Sequence, residues 1–144
     1  MKAQEYLNRI AYYDSMIGAS LDKIIAIKQR AMSITAPMDK ERVQSSGSGD
    51  MVADNVTKYV DMEMETIGEW QKKKREIVRQ ILDMNDLSES DFLYKRYVQY
   101  LTYEQIAQTD RKHRTARQLY RVHKCALAHF QSQFLNGKSK NHKK

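Results

Sequence analysis

Proline and glycine are scarce in this chain. One Pro and five Gly among 144 residues leave little material for the many tight turns of a sandwich or barrel. A single cysteine, Cys125, excludes an intrachain disulfide and suits a reducing compartment. No stretch approaches the ~18 consecutive apolar residues of a membrane span. The amino terminus has Lys2, Glu5 and Arg9 scattered through it and no apolar run, so it reads as neither a signal peptide nor an anchor. Also lacking are a Gly-rich phosphate loop, a nucleophile with a base at useful spacing, and paired carboxylates in an apolar setting. These absences lead us to expect a soluble cytoplasmic protein that is not an enzyme, uses no cofactor or metal and does not enter a membrane.

Acidic residues are missing from one part of the chain. Residues 1–91 hold 13 Lys/Arg against 16 Asp/Glu, whereas residues 92–144 hold 12 Lys/Arg against only Glu104 and Asp110. So sharp an asymmetry points to one part that meets a polyanion and another with different work. Charged residues at 30%, hydrophobic residues at 41% and eight Met favour long amphipathic helices.

From Ala3 to Ser33 the apolar residues Leu7, Ile10, Ile17, Leu21, Ile24 and Ala31 step by three, four or seven, which is the seam spacing of a coiled coil. Tyr6, Tyr13 and Ile27 widen the stripe, while Asp14 and Lys28 interrupt it. One helix about 45 Å long is expected. Thr35-Ala36-Pro37 ends the pattern, and Ser45-Ser46-Gly47-Ser48-Gly49 marks a flexible loop. A second helix is expected from Met51 to Met84, with Val52, Val56, Tyr59, Val60, Ile67, Trp70, Ile77 and Ile81 on one broad face. The two should fold back as an antiparallel hairpin, and each brings an apolar stripe that needs a partner.

Asn85-Asp86-Leu87-Ser88 breaks the second helix. Ser88, with Asp91 three residues on, has the pattern of a helix cap, and a helix over Glu89–Tyr100 would carry Leu93, Tyr97 and Tyr100 inward. Thr102-Tyr103-Glu104-Gln105 is a capping box that opens a very short helix containing Ile106 and Ala107. After a polar turn from Asp110 to Arg114, Thr115-Ala116-Arg117-Gln118 repeats the signature and opens a helix reaching about Phe134. Two capped helices separated by a few polar residues make the frame of a helix-turn-helix, with the small Ala107 placed for the close crossing.

Winding the last helix at 100° per residue puts Leu119, Val122, Ala126, Leu127 and Phe130 on one face. Arg117, Arg121 and Lys124 fall opposite, with Gln118 and Tyr120 beside them. That polar side is expected to read bases in the major groove through Arg117, Gln118, Arg121 and Lys124, Arg reading guanine through two hydrogen bonds and Gln reading adenine. Arg111, Lys112, Arg114 and Thr115, in and after the turn, are placed for phosphate. Such a face can also be merely solvated; the capped helix before it and the near absence of acid weigh for DNA.

Weaker constellations stand beside this one. His113, His123, Cys125 and His129 suggest zinc, but no CxxC partner or paired His completes a tetrahedral set, and His123 turns towards the core. Tyr94, Tyr97, Tyr100 and Tyr103 could stack bases, yet at helical spacing they are more often core with wet hydroxyls. Lys72-Lys73-Lys74-Arg75 is either a second phosphate patch or a solvated face.

The stretch Tyr94-Lys95-Arg96-Tyr97-Val98 through Leu101-Thr102-Tyr103-Glu104-Gln105-Ile106-Ala107, with Leu119-Tyr120-Arg121-Val122-His123 and Ala126-Leu127, resembles the fourth region of sigma factors. It is still more similar to phage-encoded transcriptional regulators of Gram-positive bacteria, the RinA and ArpU type. Ala3-Gln4-Glu5-Tyr6-Leu7-Asn8 and Val43-Gln44-Ser45-Ser46 resemble the opening and loop of phage proteins in that group. The turn from Asp110 to Arg114 departs from the usual pattern, being longer and without its Gly. The resemblance implies control of phage or prophage genes inside a bacterial host cell.

The sequence therefore leads us to expect an all-α protein: a long antiparallel, coiled-coil-like hairpin followed by a small helix-turn-helix domain. The expected divisions are an oligomerising hairpin over residues 1–84, a DNA-binding domain over 88–135 and a basic flexible tail over 136–144. Expected partners are double-stranded DNA, further copies of the chain and RNA polymerase. Two other readings fit the same pattern: a small-terminase-like packaging protein, and a sigma-like adaptor that meets polymerase more than DNA.

Overall fold

A computed structural model describes the backbone of residues 1–35 and 46–136, and the side chains of residues 1–33 and 53–136. The chain is all-α, with no strand among the described residues. Among the described residues five α-helices follow one another: α1 (Ala3–Thr35), α2 (Ser46–Leu82), α3 (Leu87–Leu93), α4 (Tyr103–Gln108) and α5 (Ala116–Phe130). π-helical turns extend α3 over Tyr94–Val98 and α5 over Gln131–Leu135. Among the described residues no helix is long and apolar enough to cross a membrane. α2 opens at Ser46, ahead of the apolar pattern that begins at Met51. Residues 46–49 of the expected Ser/Gly loop are thus helical, as the first turn of α2, while residues 36–45 of that loop, the Val52 side chain and the tail from residue 137 lie outside the described residues.

Contacts divide the chain into two compact units, Met1–Tyr13 with Lys73–Lys144, and Asp14–Lys72. The expected division between residues 84 and 88 falls inside the first unit. The reason is packing: the first turns of α1 and the last turns of α2 supply the core on which α3, α4 and α5 sit. Ala3, Leu7 and Ile10 from α1 join Ile77 and Ile81 from α2, with Phe92, Leu93, Tyr97, Ile106, Leu119, Ala126 and Phe130. Leu7, Ile10, Ile81, Leu93, Leu119 and Phe130 are wholly buried.

Hydrogen bonds at the helix ends lock this unit. The first N–H groups of a helix have no partner within it. In α1 the Ala3 amide donates to Gln131 Oε1 at 2.6 Å, while Gln131 Nε2 donates to the Met1 carbonyl at 3.0 Å. At the other end of α2, the Ile81 carbonyl accepts from Ser90 Oγ at 2.7 Å and the Asp83 carbonyl from Gln133 Nε2 at 3.2 Å. Tyr6 near the start of α1 donates to Gln80 near the end of α2 at 2.6 Å, as an antiparallel pair requires.

In the second unit the hairpin keeps a heptad seam. The covered positions of α1 there step through Ile17, Ser20, Ile24, Ile27 and Ala31, alternating three and four residues. Those of α2 step through Val56, Val60, Glu63, Ile67 and Trp70 in the same way. Leu21, expected in the seam, is 46% exposed, and the adjacent Ser20 is buried instead. One residue is a 100° rotation, and an alternating seam through Ile17 and Ile24 passes Ser20 while leaving Leu21 on its flank. Tyr59, expected on the inward face of α2, is likewise exposed.

α3 is capped by Asp86, not Ser88. The Asp86 carboxylate accepts from the Ser88 and Glu89 amides at 2.8 and 3.2 Å, which starts the helix before Ser88 and turns Phe92 and Leu93 into the core. The π turn then bonds Gln99 N–H to the Tyr94 carbonyl, five residues back. Its wider winding keeps Tyr97 inside but carries Tyr100 out: Tyr100 adopts φ 59 and is half exposed, against the inward placement expected.

Candidate nucleic-acid interface

Both capping boxes expected from the sequence are formed. Thr102 Oγ1 accepts from the Gln105 amide at 3.2 Å, and Gln105 Oε1 accepts from the Thr102 amide at 2.9 Å. Thr115 and Gln118 repeat this at 2.9 and 3.2 Å. The boxes fix where α4 and α5 begin, and the turn between them is fixed by Asp110. Its carboxylate accepts from the Arg114 amide at 2.7 Å, from Nε at 2.9 Å and from Nη2 at 2.9 Å. Those bonds hold the Asp110 carboxyl far below the usual carboxylate range, hydrogen bonding outweighing burial. The left-handed residue that a tight turn often assigns to Gly is here His113, with φ 54.

α4 and α5 are held together over a buried histidine. His123 lies between two tyrosines, Nε2 at 2.7 Å from the Tyr97 hydroxyl and Nδ1 at 2.7 Å from the Tyr103 hydroxyl. A neutral imidazole satisfies both: one nitrogen donates to a phenolic oxygen and the other accepts from a hydroxyl. Burial, with Arg96 adding to it, lowers the His123 pKa, so the neutral form is the one that fits. Burial also pushes the Tyr97 hydroxyl up to about 12. Phe92 packs on the imidazole, with ring centres 5.3 Å apart. The tyrosine run is thus core in Tyr97, core-packed in Tyr94 and Tyr103, and surface in Tyr100.

The phase of α5 is the expected one. Leu119, His123, Ala126 and Phe130 are buried, Val122 and Leu127 pack against them, and Ala107 of α4 is half-buried on the same core. Arg117, Arg121 and Lys124 are exposed together on the outer side. Arg111 and Lys112 are exposed in the turn. Among the described residues no ion pair involves Arg111, Lys112, Arg117 or Arg121. Arg117 and Arg121, one turn apart, repel by about 0.2–0.5 kcal/mol unless an anion lies between them.

Two of the expected contact residues already have partners. Arg114 is only 21% exposed and forms the bidentate pair with Asp110, so it shapes the turn. Gln118 holds the Thr115 amide through Oε1, whereas reading adenine takes both its oxygen and its amide nitrogen. Thr115 Oγ1 accepts from Gln118 N–H, which leaves its hydroxyl hydrogen to donate outward.

A row of cation–aromatic contacts borders this face and was not expected from the sequence. The Arg96 guanidinium sits 4.8 Å from the Tyr103 ring centre, Tyr103 meets Tyr120 edge-on at 6.0 Å, and Lys124 Nζ lies 4.8 Å over Tyr120. Lys124 and Tyr120 share helical i,i+4 spacing, but Arg96 comes from the π turn, where no contiguous pattern could place it.

The zinc constellation does not assemble. His123 is held by tyrosines, His129 pairs with Glu89 at 2.7 Å and Cys125 is exposed. Among the described residues no three His, Cys, Asp or Glu gather to hold a metal ion. Lys72 and Arg75 are exposed on α2, with Lys73 between them on the same surface and Lys74 on the seam.

No family model, no curated protein and no solved structure matches the chain.

Proposed function

We propose that this protein binds double-stranded DNA in a sequence-specific way, with α5 entering the major groove. The observation that carries the reading is the outer side of α5. Arg117 and Arg121 are exposed on a helix whose start and rotation are fixed by a capping box and a buried core, and among the described residues no acid pairs with them. Arg117 and Arg121 contact guanine edges, and Lys124, carried over Tyr120, lies further along the groove. Arg111, Lys112 and the Thr115 hydroxyl face phosphate, together with the Ala116 and Arg117 amides that no intrahelical acceptor reaches. Gln118 and Arg114 act on the fold of the motif.

The resemblance carried by residues 94–107 and 119–127 supports a regulator of phage or prophage genes that acts by promoter binding and recruitment of RNA polymerase, with no chemical step. Binding of the full chain to its selected site, followed by fluorescence anisotropy, tests the assignment. Arg117→Ala or Arg121→Ala should each weaken that site by about 1–3 kcal/mol and relax its sequence preference. Unchanged preference in both variants would remove α5 from base reading.

A further inference from the structure

We propose that the groove between α1 and α2 in the second unit is a self-association surface, covered by the same groove of a second copy of this chain. The groove, ≈ 550 Å³, has an apolar floor of Ala26, Ile27 and Val56, with Tyr59 along its edge. Tyr59 is 57% exposed, a large aromatic surface left in water by the hairpin alone.

The charges on the two lips identify the occupant. The α1 lip carries Lys23 and Arg30, and the α2 lip carries Glu63. A groove with one basic and one acidic lip is complementary to itself: a two-fold axis along the arm lays the basic lip of each copy on the acidic lip of the other. Because α1 and α2 are antiparallel, Lys23 and Glu63 lie near one level of the groove, as do Ile27 and Tyr59. The same axis preserves those levels and sets Lys23 against the partner's Glu63. Two such two-helix arms make a four-helix bundle, in which each helix finds two neighbours. DNA is a poor occupant, since residues 14–72 carry 10 Asp/Glu against 7 Lys/Arg. The surface stands whether or not α5 meets DNA.

Sedimentation of the full chain at micromolar concentration should give a dimer or an even multiple of it. Tyr59→Glu, at an exposed position, should weaken association at least about 30-fold, as loss of a buried aromatic anchor does. Ile25→Glu, on α1 but outside the groove, should leave the mass unchanged. Lys23→Glu and Glu63→Lys should each weaken association about tenfold. Mixing those two variants should restore it, because every basic lip then meets an acidic one across the interface. Pairing within one chain cannot produce that rescue. A monomeric parent, a mixture no tighter than its components, or a loss of association in Ile25→Glu but not in Tyr59→Glu would each overturn the proposal.

Discussion

Replacing His123 by Ala tests the joint on which the motif depends. The substitution removes two hydrogen bonds of 2.7 Å and an imidazole packed on Phe92. Each bond contributes roughly 0.5–1.5 kcal/mol, and leaving the buried Tyr97 hydroxyl without its partner costs about 1–3 kcal/mol. Allowing for water reaching the half-buried Tyr103, the expected loss is about 2–5 kcal/mol. At roughly 2–4 °C per kcal/mol for a chain of this size, thermal melts followed by circular dichroism should fall by about 5–15 °C. The pH dependence provides a second check. His123 has a lowered pKa in the folded protein, so the unfolded chain binds its proton first. Parent stability should therefore fall as pH drops from about 6.5 towards the folded pKa, and the variant should lose that part of the slope. An unchanged melting temperature, or an identical slope between pH 7.5 and 5, would refute the role assigned to His123 between its two tyrosines.

Four further outcomes follow from the same geometry. Leu119→Ala, at a wholly buried site, should destabilise by about 2–5 kcal/mol in chemical denaturation, and a parental midpoint would show that α5 is misphased. Asp110→Asn should loosen the turn and lower stability at neutral pH. Because the folded Asp110 pKa is depressed, its contribution is present above about pH 4 and lost as pH falls below it, and Asp110→Asn should lack that loss. Lys112→Ala should weaken all DNA alike and flatten the salt dependence by about one unit of slope, whereas sequence-selective weakening would move Lys112 from phosphate to base contact. Gly68, mid-helix in α2, has open space around an added Cβ, so Gly68→Ala should stabilise by about 0.5–1 kcal/mol in the same melts, and destabilisation would show an unseen neighbour.

What the sequence made legible was local. Thr102-x-x-Gln105 and Thr115-x-x-Gln118 write their caps in four contiguous residues, and both boxes form as expected. The inward turn of His123 and the outward turn of Arg117 and Arg121 followed from helical winding once the start of α5 was fixed. Residues with two uses were harder to read. Gln118 and Arg114 suit DNA by residue type, but each is taken by a bond within its own turn. Asp86 and Ser88 are both good caps two residues apart, and the burial of Phe92 and Leu93 decides between them. Ser20 against Leu21 is a similar choice, made by the seam and not by hydrophobicity. The π turn at Tyr94–Val98, and the joining of both hairpin ends to the core of α3, α4 and α5, arise from packing between distant segments.

The most direct measurement for the central claim is sequencing of the DNA fragments that the purified full chain captures from a random pool. One enriched motif, lost when Arg117 and Arg121 are both replaced by Ala while Lys112→Ala keeps it, is the result expected if α5 reads bases. Capture without any enriched motif, or the same motif from the double-arginine variant, would contradict it.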